Sequence, residues 1–110
     1  FLNKNYKMIR RDRNTDSGGG VIIYIKNNIN FSNLDLHINS NNEIISTTLN
    51  INKLKIALIA CYRPPNHQNE NTFFEYLTNI LQKQDQHDET LIVGDINCNM
   101  FERENNPLRD

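Results

Sequence analysis

The most constraining feature of the sequence is a long apolar strand that is closed off by two prolines. Side chains alternate between two faces over residues 54–62, and both faces are apolar, with Leu58 on one and Ile59 and Cys61 on the other. A strand that is apolar on both faces is typical of the centre of a covered sheet. The proline pair 64–65 ends the strand, because proline has no N–H to donate to a sheet ladder.

A helix and a second strand follow the prolines. Thr72 is a good N-cap, and Glu75 three residues later completes a capping box, so we predict a helix over residues 72–84. The apolar side chains of this segment recur at helical spacing on one face: Phe73, Phe74, Leu77, Ile80 and Leu81. Residues 90–93 then form a short buried strand, which Gly94 breaks.

This strand–helix–strand order predicts an α/β fold with a candidate site at one edge of its sheet. A helical crossover makes the two strands parallel, so their carboxyl ends share an edge, where open α/β sheets bind ligands. Tyr62 ends the first strand, and Asp95 and Asn97 follow the second. A carboxylate can orient and deprotonate a water, a phenol can stabilise developing negative charge, and an amide can donate to a phosphoryl oxygen. We therefore predict Tyr62, Asp95 and Asn97 as catalytic residues.

The rest of the chain predicts further strands. Residues 43–51 alternate cleanly and form a hairpin with residues 54–62. A β-branched strand, 21–25, follows three glycines, which we interpret as its flexible entry, because a phosphate-binding loop would open a helix instead. Residues 31–38 are a short edge strand or irregular. The basic amino end, 1–13, is interpreted as a solvated loop in preference to a phosphate-steering one.

Composition excludes several classes of function. The 110 residues carry a formal net charge of -1, which argues against a dedicated electrostatic nucleic-acid binder but not against an enzyme that contacts DNA locally. No apolar run is long enough to span a bilayer, and the amino end has no signal-peptide pattern. Two cysteines are too few for a secreted disulfide framework, so both are read as reduced thiols of a cytoplasmic or nuclear protein.

The other reactive side chains predict little chemistry. The three histidines have no metal-ligand spacing and are interpreted as surface residues: His37, His67 and His87. Cys61 and Cys98 are assigned to packing. Arg63 could contact a phosphate or lie in a solvated loop, and the sequence does not decide between them. No metal ligand and no obligate protein partner is predicted within the chain.

Three segments resemble the endonuclease/exonuclease/phosphatase superfamily, and most of all the apurinic-endonuclease-like domain of non-LTR (LINE-type) retrotransposons. A glycine-led strand, a Tyr-x-Pro-Pro strand end and a Gly-Asp-Phe-Asn strand end follow each other in that family. Their counterparts here are residues 18–21, 60–65 and 91–97. The resemblance covers about residues 10–99, with Ile96 in place of the family's Phe.

The resemblance implies a four-layer α/β sandwich, two facing sheets with outer helices, of which residues 1–110 would be the central portion. It implies Mg²⁺-dependent nicking of a DNA substrate, in which Tyr62 contacts the scissile phosphate, Asp95 aligns the water and Asn97 supports both. The family's early Asn, its metal-binding Glu and its carboxyl-terminal Asp-His pair have no counterpart in this chain. We therefore expect most metal ligands to lie outside the segment, and the segment alone to be inactive.

Two other functions remain open at this point. A phosphoesterase of the same superfamily could act on a lipid or inositol phosphate. Alternatively, the chain could be a decayed retroelement remnant without catalytic activity. A plasmid-nicking assay run beside a phospholipid assay distinguishes the first alternative from the endonuclease.

Overall fold

Strands dominate the part of the chain that the structure, a computed structural model, describes: residues 5–12, 20–63, 70–84 and 86–96. The elements in chain order are β1 (Tyr6–Asp12), β2 (Gly20–Lys26), β3 (Asn30–Asp35), β4 (Glu43–Ile51), β5 (Leu54–Tyr62), α1 (Glu70–Gln82) and β6 (Glu89–Asp95). The predicted α/β class is confirmed: these residues form two sheets and one helix.

The larger sheet has the strand order β3-β4-β5-β6. β4 and β5 form the predicted antiparallel hairpin, and their turn residues Asn52 and Lys53 both have positive φ, of 51° and 70°. Positive φ at both central residues is the pattern of a type I′ hairpin turn, whose twist matches that of the strands. β5 and β6 pair in parallel across α1, as the predicted helical crossover requires.

α1 covers one face of this sheet. Phe73, Leu77 and Ile80 of the helix pack against buried side chains of two strands, Ile44 of β4 and Ile59 of β5. These helix residues belong to the apolar face that the sequence predicts. Burying them contributes roughly 1.5–3 kcal/mol per large side chain, so this contact fixes the helix on the sheet.

The β1–β2 hairpin covers the opposite face. Ile9 and Ile25 of the hairpin form a second buried cluster with Ile45 of β4. The described residues therefore form three layers, which are the helix, the four-stranded sheet and the hairpin. The finer expectation of four layers is not established by these residues.

Three details differ from the sequence predictions. The basic amino end is not a solvated loop in residues 6–12, which form β1 against β2, with Arg11 buried. Arg11 donates from Nη2 to the carbonyls of Ser40 (2.7 Å) and His37 (3.3 Å), and these bonds compensate for part of the cost of its burial. α1 begins at Glu70, so Thr72 lies inside the first turn and is not the N-cap. β6 extends beyond the predicted 90–93, includes Gly94, and is exposed along its length instead of buried as predicted.

Candidate functional site

Tyr62 and Asp95 lie side by side at one edge of the larger sheet. They are register partners in the parallel β5–β6 pair, each the last residue of its strand. Neighbouring strands lie about 4.8 Å apart, and partners in register point to the same face of a sheet. The predicted meeting of these two residues is therefore confirmed as geometry. Asn97, the third predicted catalytic residue, lies outside the described residues.

The face that Tyr62 and Asp95 share is the one opposite α1. Cys61, the preceding residue, belongs to the cluster under the helix, and side chains alternate along a strand. Tyr62 is half-buried and Asp95 is exposed. The phenol is therefore held partly within the structure, while the carboxylate is accessible to a substrate.

Gly94 allows the close approach of the two strands at this edge. Its φ is +133°, a conformation that side chains rarely adopt, and a Cβ built on it would lie 1.8 Å from the carbonyl oxygen of Cys61. No rotamer change can relieve a contact with a backbone atom. The sequence interpretation of Gly94 as a strand breaker is wrong, because the strand continues through it and places Asp95 against the end of β5.

Arg63 joins the ends of both strands to the helix. Its backbone N–H donates to the Asp95 carbonyl oxygen (2.8 Å), and its Nε donates to the Ile96 carbonyl oxygen (2.8 Å). The guanidinium carbon lies 6.0 Å from the centre of the Phe74 ring, and the residue is only 5% exposed. Arg63 is thus a buried positioning residue for the backbone around Asp95. This role was not predicted, because the sequence pattern does not distinguish a buried, hydrogen-bonded arginine from a solvated one.

Glu43 is a further acidic residue in register with Tyr62 and Asp95, and the sequence analysis did not predict it. It pairs in register with Tyr62, so Glu43, Tyr62 and Asp95 follow each other across three strands on one face. Glu43 is 6% exposed, and β4 begins there, at the same edge where β5 and β6 end. The two acidic residues are separated by two strand spacings, about 10 Å between backbones. The sequence does not show that Glu43 lies opposite Tyr62, because this depends on the register between β4 and β5.

The donor set at this edge fits a Mg²⁺ ion only in part. Mg²⁺ is often held by one or two carboxylates together with substrate phosphates, and Glu43 and Asp95 supply carboxylates of that kind. Within the described ranges, no group of three or more His, Cys, Asp or Glu side chains is arranged to hold a metal ion. The described residues would therefore contribute some ligands and need others from elsewhere.

The described histidines lie away from this edge, whereas Cys61 lies next to it with its side chain on the α1 side. His37 is not a surface residue as the sequence suggested, because its side chain is buried and its ring nitrogens bond to Tyr76 Oη (2.7 Å) and Ser46 Oγ (2.8 Å). His87 is half-buried and bonds to Thr48 Oγ1. Burial raises the pKa of the Cys61 thiol, which agrees with its assignment to packing. His67 and Cys98 lie outside the described residues.

Asp95 is exposed at this edge, so a substrate can reach its carboxylate. Cavities of about 500, 330 and 230 Å³ are lined by other described residues. Together, Tyr62 and Asp95 can offer a hydroxyl donor and an acceptor for a water proton to one group of a substrate.

Comparison with known proteins gives no relative. A scan against protein-family models found no match, and a search of curated proteins found none either. Among the helices of the described segments, none is long and apolar enough to cross a membrane.

Proposed function

We propose that the chain is the central part of a metal-dependent phosphodiesterase domain, and that this domain is a DNA-nicking endonuclease of the retrotransposon type it resembles. The observation that carries the proposal is the register pairing of Tyr62 with Asp95 at the carboxyl edge of a parallel strand pair. The two motifs that contain these residues are distant in sequence, and the resemblance requires them to meet.

The chemistry is assigned as follows. The Asp95 carboxylate accepts a proton from a water and orients it toward the phosphorus. The Tyr62 hydroxyl donates to a non-bridging phosphoryl oxygen as negative charge develops there. Arg63 keeps the Asp95 backbone in place through its 2.8 Å hydrogen bonds to Asp95 and Ile96. Asn97 steadies the water and the phosphate, a role that rests on the resemblance alone.

A Mg²⁺ ion would neutralise charge on the phosphate when bound. Glu43 and Asp95 are the described carboxylates that could contribute to it. Because the family's metal-binding Glu and its Asp-His pair have no counterpart here, the 110-residue chain is expected to be inactive without the rest of the domain.

The packing supports a fourth layer in the complete domain. The outer face of the β1–β2 hairpin exposes large apolar side chains: Tyr6, Met8, Ile22 and Tyr24. A single soluble layer seldom leaves such a row uncovered. We infer that helices cover it in the four-layer sandwich, two facing sheets with outer helices.

The test is nicking of supercoiled plasmid with Mg²⁺ by the longer protein that contains this chain. Asp95→Asn should slow nicking by about a hundredfold or more, since it removes the proton acceptor while keeping the shape. Glu89→Gln is the matched control, because Glu89 is an exposed acid at the opposite end of the same strand. Equal nicking by wild type and Asp95→Asn would reject the assignment, as would cleavage of a phospholipid in preference to DNA.

A further inference from the structure

A polar groove lies on the other side of the larger sheet, between β4 and the carboxyl-terminal half of α1. It contains the cavities of about 330 and 230 Å³, which share four lining residues: Asn33, Ser46, Lys83 and Gln84. His37 lines the first cavity and His87 the second. The shared residues place the two cavities side by side on the α1 side of the sheet, away from the Tyr62–Asp95 edge.

The groove replaces apolar packing at a helix–sheet contact with hydrogen-bonding side chains. On the α1 side of β4, Ile44 is followed by Ser46 and Thr48, and only Ile44 joins the cluster under the helix. Ser46 bonds to His37, and Thr48 Oγ1 lies 2.7 Å from His87 Nε2. Buried polar groups stabilise a fold less well than apolar ones of the same shape, so stability alone does not account for this lining.

His37 is held in an unusual conformation. Its φ is +51°, in the left-handed region that a residue with a Cβ rarely occupies. Asp35 Oδ1 accepts its backbone N–H at 2.8 Å, and its ring lies between Ser46 and Tyr76. Backbone strain that several contacts enforce is concentrated at binding and catalytic sites.

The hydrogen bonds around His37 exclude one tempting interpretation. A serine, a histidine and an aspartate lie together, but the Nδ1 partner of His37 is Tyr76 Oη at 2.7 Å, while Asp35 Oδ2 is 3.6 Å away. A nucleophilic relay needs the carboxylate as the hydrogen-bonded partner of the imidazole. The groove is therefore arranged for binding and not for acyl transfer.

Two features indicate an anionic ligand. His87 Nδ1 is buried and has no hydrogen-bond partner among the described residues, and an unsatisfied buried group of this kind calls for a bound water or ligand. Lys83 is exposed and lines both cavities, whereas Asp35, the only carboxylate among their described lining residues, lines the 330 Å³ cavity alone.

The carboxyl-terminal end of α1 adds little negative charge beside Lys83. Carbonyl groups at a helix carboxyl terminus carry partial negative charge. Here the Ile80 carbonyl oxygen already accepts from the Lys83 N–H (3.1 Å) and from Gln84 Nε2 (3.1 Å), and the Leu81 carbonyl oxygen accepts from the Gln84 N–H. These bonds reduce the exposed negative charge next to Lys83.

We propose that this groove is a second binding site, which takes a phosphate monoester of mononucleotide size. The phosphate lies against Lys83 and His87 Nδ1, and the rest of the ligand extends toward Ser46 and His37. The larger of the two cavities, about 330 Å³, is in the range of small-molecule sites, which are about 300–1,000 Å³. The site is independent of the proposed nuclease edge, since it lies across the sheet from Tyr62 and Asp95.

The test is calorimetric titration of the full chain near neutral pH with AMP, inorganic phosphate and adenosine, with amide NMR spectra to locate the ligand. AMP and phosphate should bind saturably, and adenosine should bind at least about tenfold more weakly than AMP, because it lacks the group that pairs with Lys83. The amide shifts should be confined to the groove, at residues such as Asn33, Ser46 and Gln84.

Two variants in the groove and one control outside it distinguish specific binding in the groove from nonspecific attraction by positive charge. Lys83→Gln should weaken AMP binding by about tenfold, and His87→Gln should also weaken it while its amide keeps a partner for Thr48. Lys55→Gln removes the same charge from an exposed position outside the groove and should change binding by less than about twofold. Equal weakening by both lysine variants, equal binding of adenosine, no saturable binding, or shifts centred on Tyr62 would each overturn the proposal.

Discussion

β5 and β6 are parallel neighbours of similar apolar character, yet they differ sharply in burial. Ile59 of β5 is 0% exposed and its register partner in β6, Ile92, is 46% exposed. β5 lies between two strands, under α1 on one face and the hairpin on the other. β6 pairs only with β5 within the described part of the chain. An apolar run thus predicts a strand, whereas its burial depends on which layers lie over it.

The comparison also shows how an exposed strand keeps its place beside a buried one. Packing cannot fix the end of β6, where every residue is exposed. The Gly94 backbone contact and the Arg63 hydrogen bonds provide that restraint instead. The position of Asp95 therefore depends on specific backbone contacts and less on hydrophobic burial.

Gly94→Ala should give the largest effect, because it would separate the two strands. The new Cβ would meet the Cys61 carbonyl oxygen at 1.8 Å, and the φ of +133° is unfavourable for alanine. We expect a loss of about 4 kcal/mol or more in the free energy of unfolding. Urea denaturation measures the loss, and amide exchange should show β6 opening first. A loss below about 1 kcal/mol would mean that the strands are not in close contact at this point.

The matched pair Ile59→Ala and Ile92→Ala measures the difference in burial directly. The same chemical change is made at two register partners on the same sheet face. Ile59→Ala should cost about 2–5 kcal/mol, as for fully buried isoleucines. Ile92→Ala should cost roughly 1 kcal/mol, in proportion to the area already exposed. Equal costs in urea denaturation would show that β6 is covered as completely as β5.

Arg63→Met should have an intermediate effect, through the restraint on the strand ends. The change keeps an apolar stem but removes the Nε donor, so the partly buried Ile96 carbonyl loses its 2.8 Å partner. We expect a loss of about 1–3 kcal/mol. Arg10→Met is the control, because its ion pair with Asp12 is exposed and should be worth less than about 1 kcal/mol. Similar losses for the two arginine variants in thermal melts would contradict the positioning role of Arg63.

The smallest expected effect is a dependence of the free energy of unfolding on pH, caused by the burial of His37 near β4. Burial lowers the pKa of His37 below its usual 6.5, and Arg11 and Lys83 lower it further, while Asp35 raises it. As the pH falls, His37 therefore takes up a proton in the unfolded chain at a higher pH than in the folded chain. Stability is therefore fully present above pH 6.5 and decreases as the pH falls below it.

Urea midpoints measured from neutral pH down to about pH 5 should show this decrease. The His37 ring bonds to the hydroxyls of Tyr76 and Ser46, and Asp35 Oδ2 lies 3.6 Å from its Nδ1. His37→Gln should flatten the slope. A slope unchanged by His37→Gln would assign it to other groups.

The sequence predicted those parts of the fold that depend on local patterns. Alternation identified β4 and β5, and the apolar face of α1 follows from its helical spacing. The parallel β5–β6 pair followed from the helical crossover between the two strands. The same rule predicted that Tyr62 and Asp95 share one edge of the sheet.

The remainder depends on contacts between distant residues, which a single sequence does not show. β1 was missed because its basic residues look solvated, and only the carbonyls of the turn near His37 and Ser40 explain the burial of Arg11. Glu43 lies at the site because of strand register, and Arg63 because of its burial and hydrogen bonds. The groove was missed because His37 and His87 are brought to it by two different segments, β3–β4 and α1–β6.

The central claim is that Tyr62 and Asp95 act together at one edge of the sheet, and a double-variant cycle tests it most directly. Plasmid nicking with Mg²⁺ is measured for the longer protein and for Tyr62→Phe, Asp95→Asn and the double variant. Residues that act as a unit lose rate non-additively. We expect about a hundredfold loss for each single variant and little further loss for the double. Losses that multiply, a single variant with full rate, or no nicking by the unaltered protein would contradict the claim.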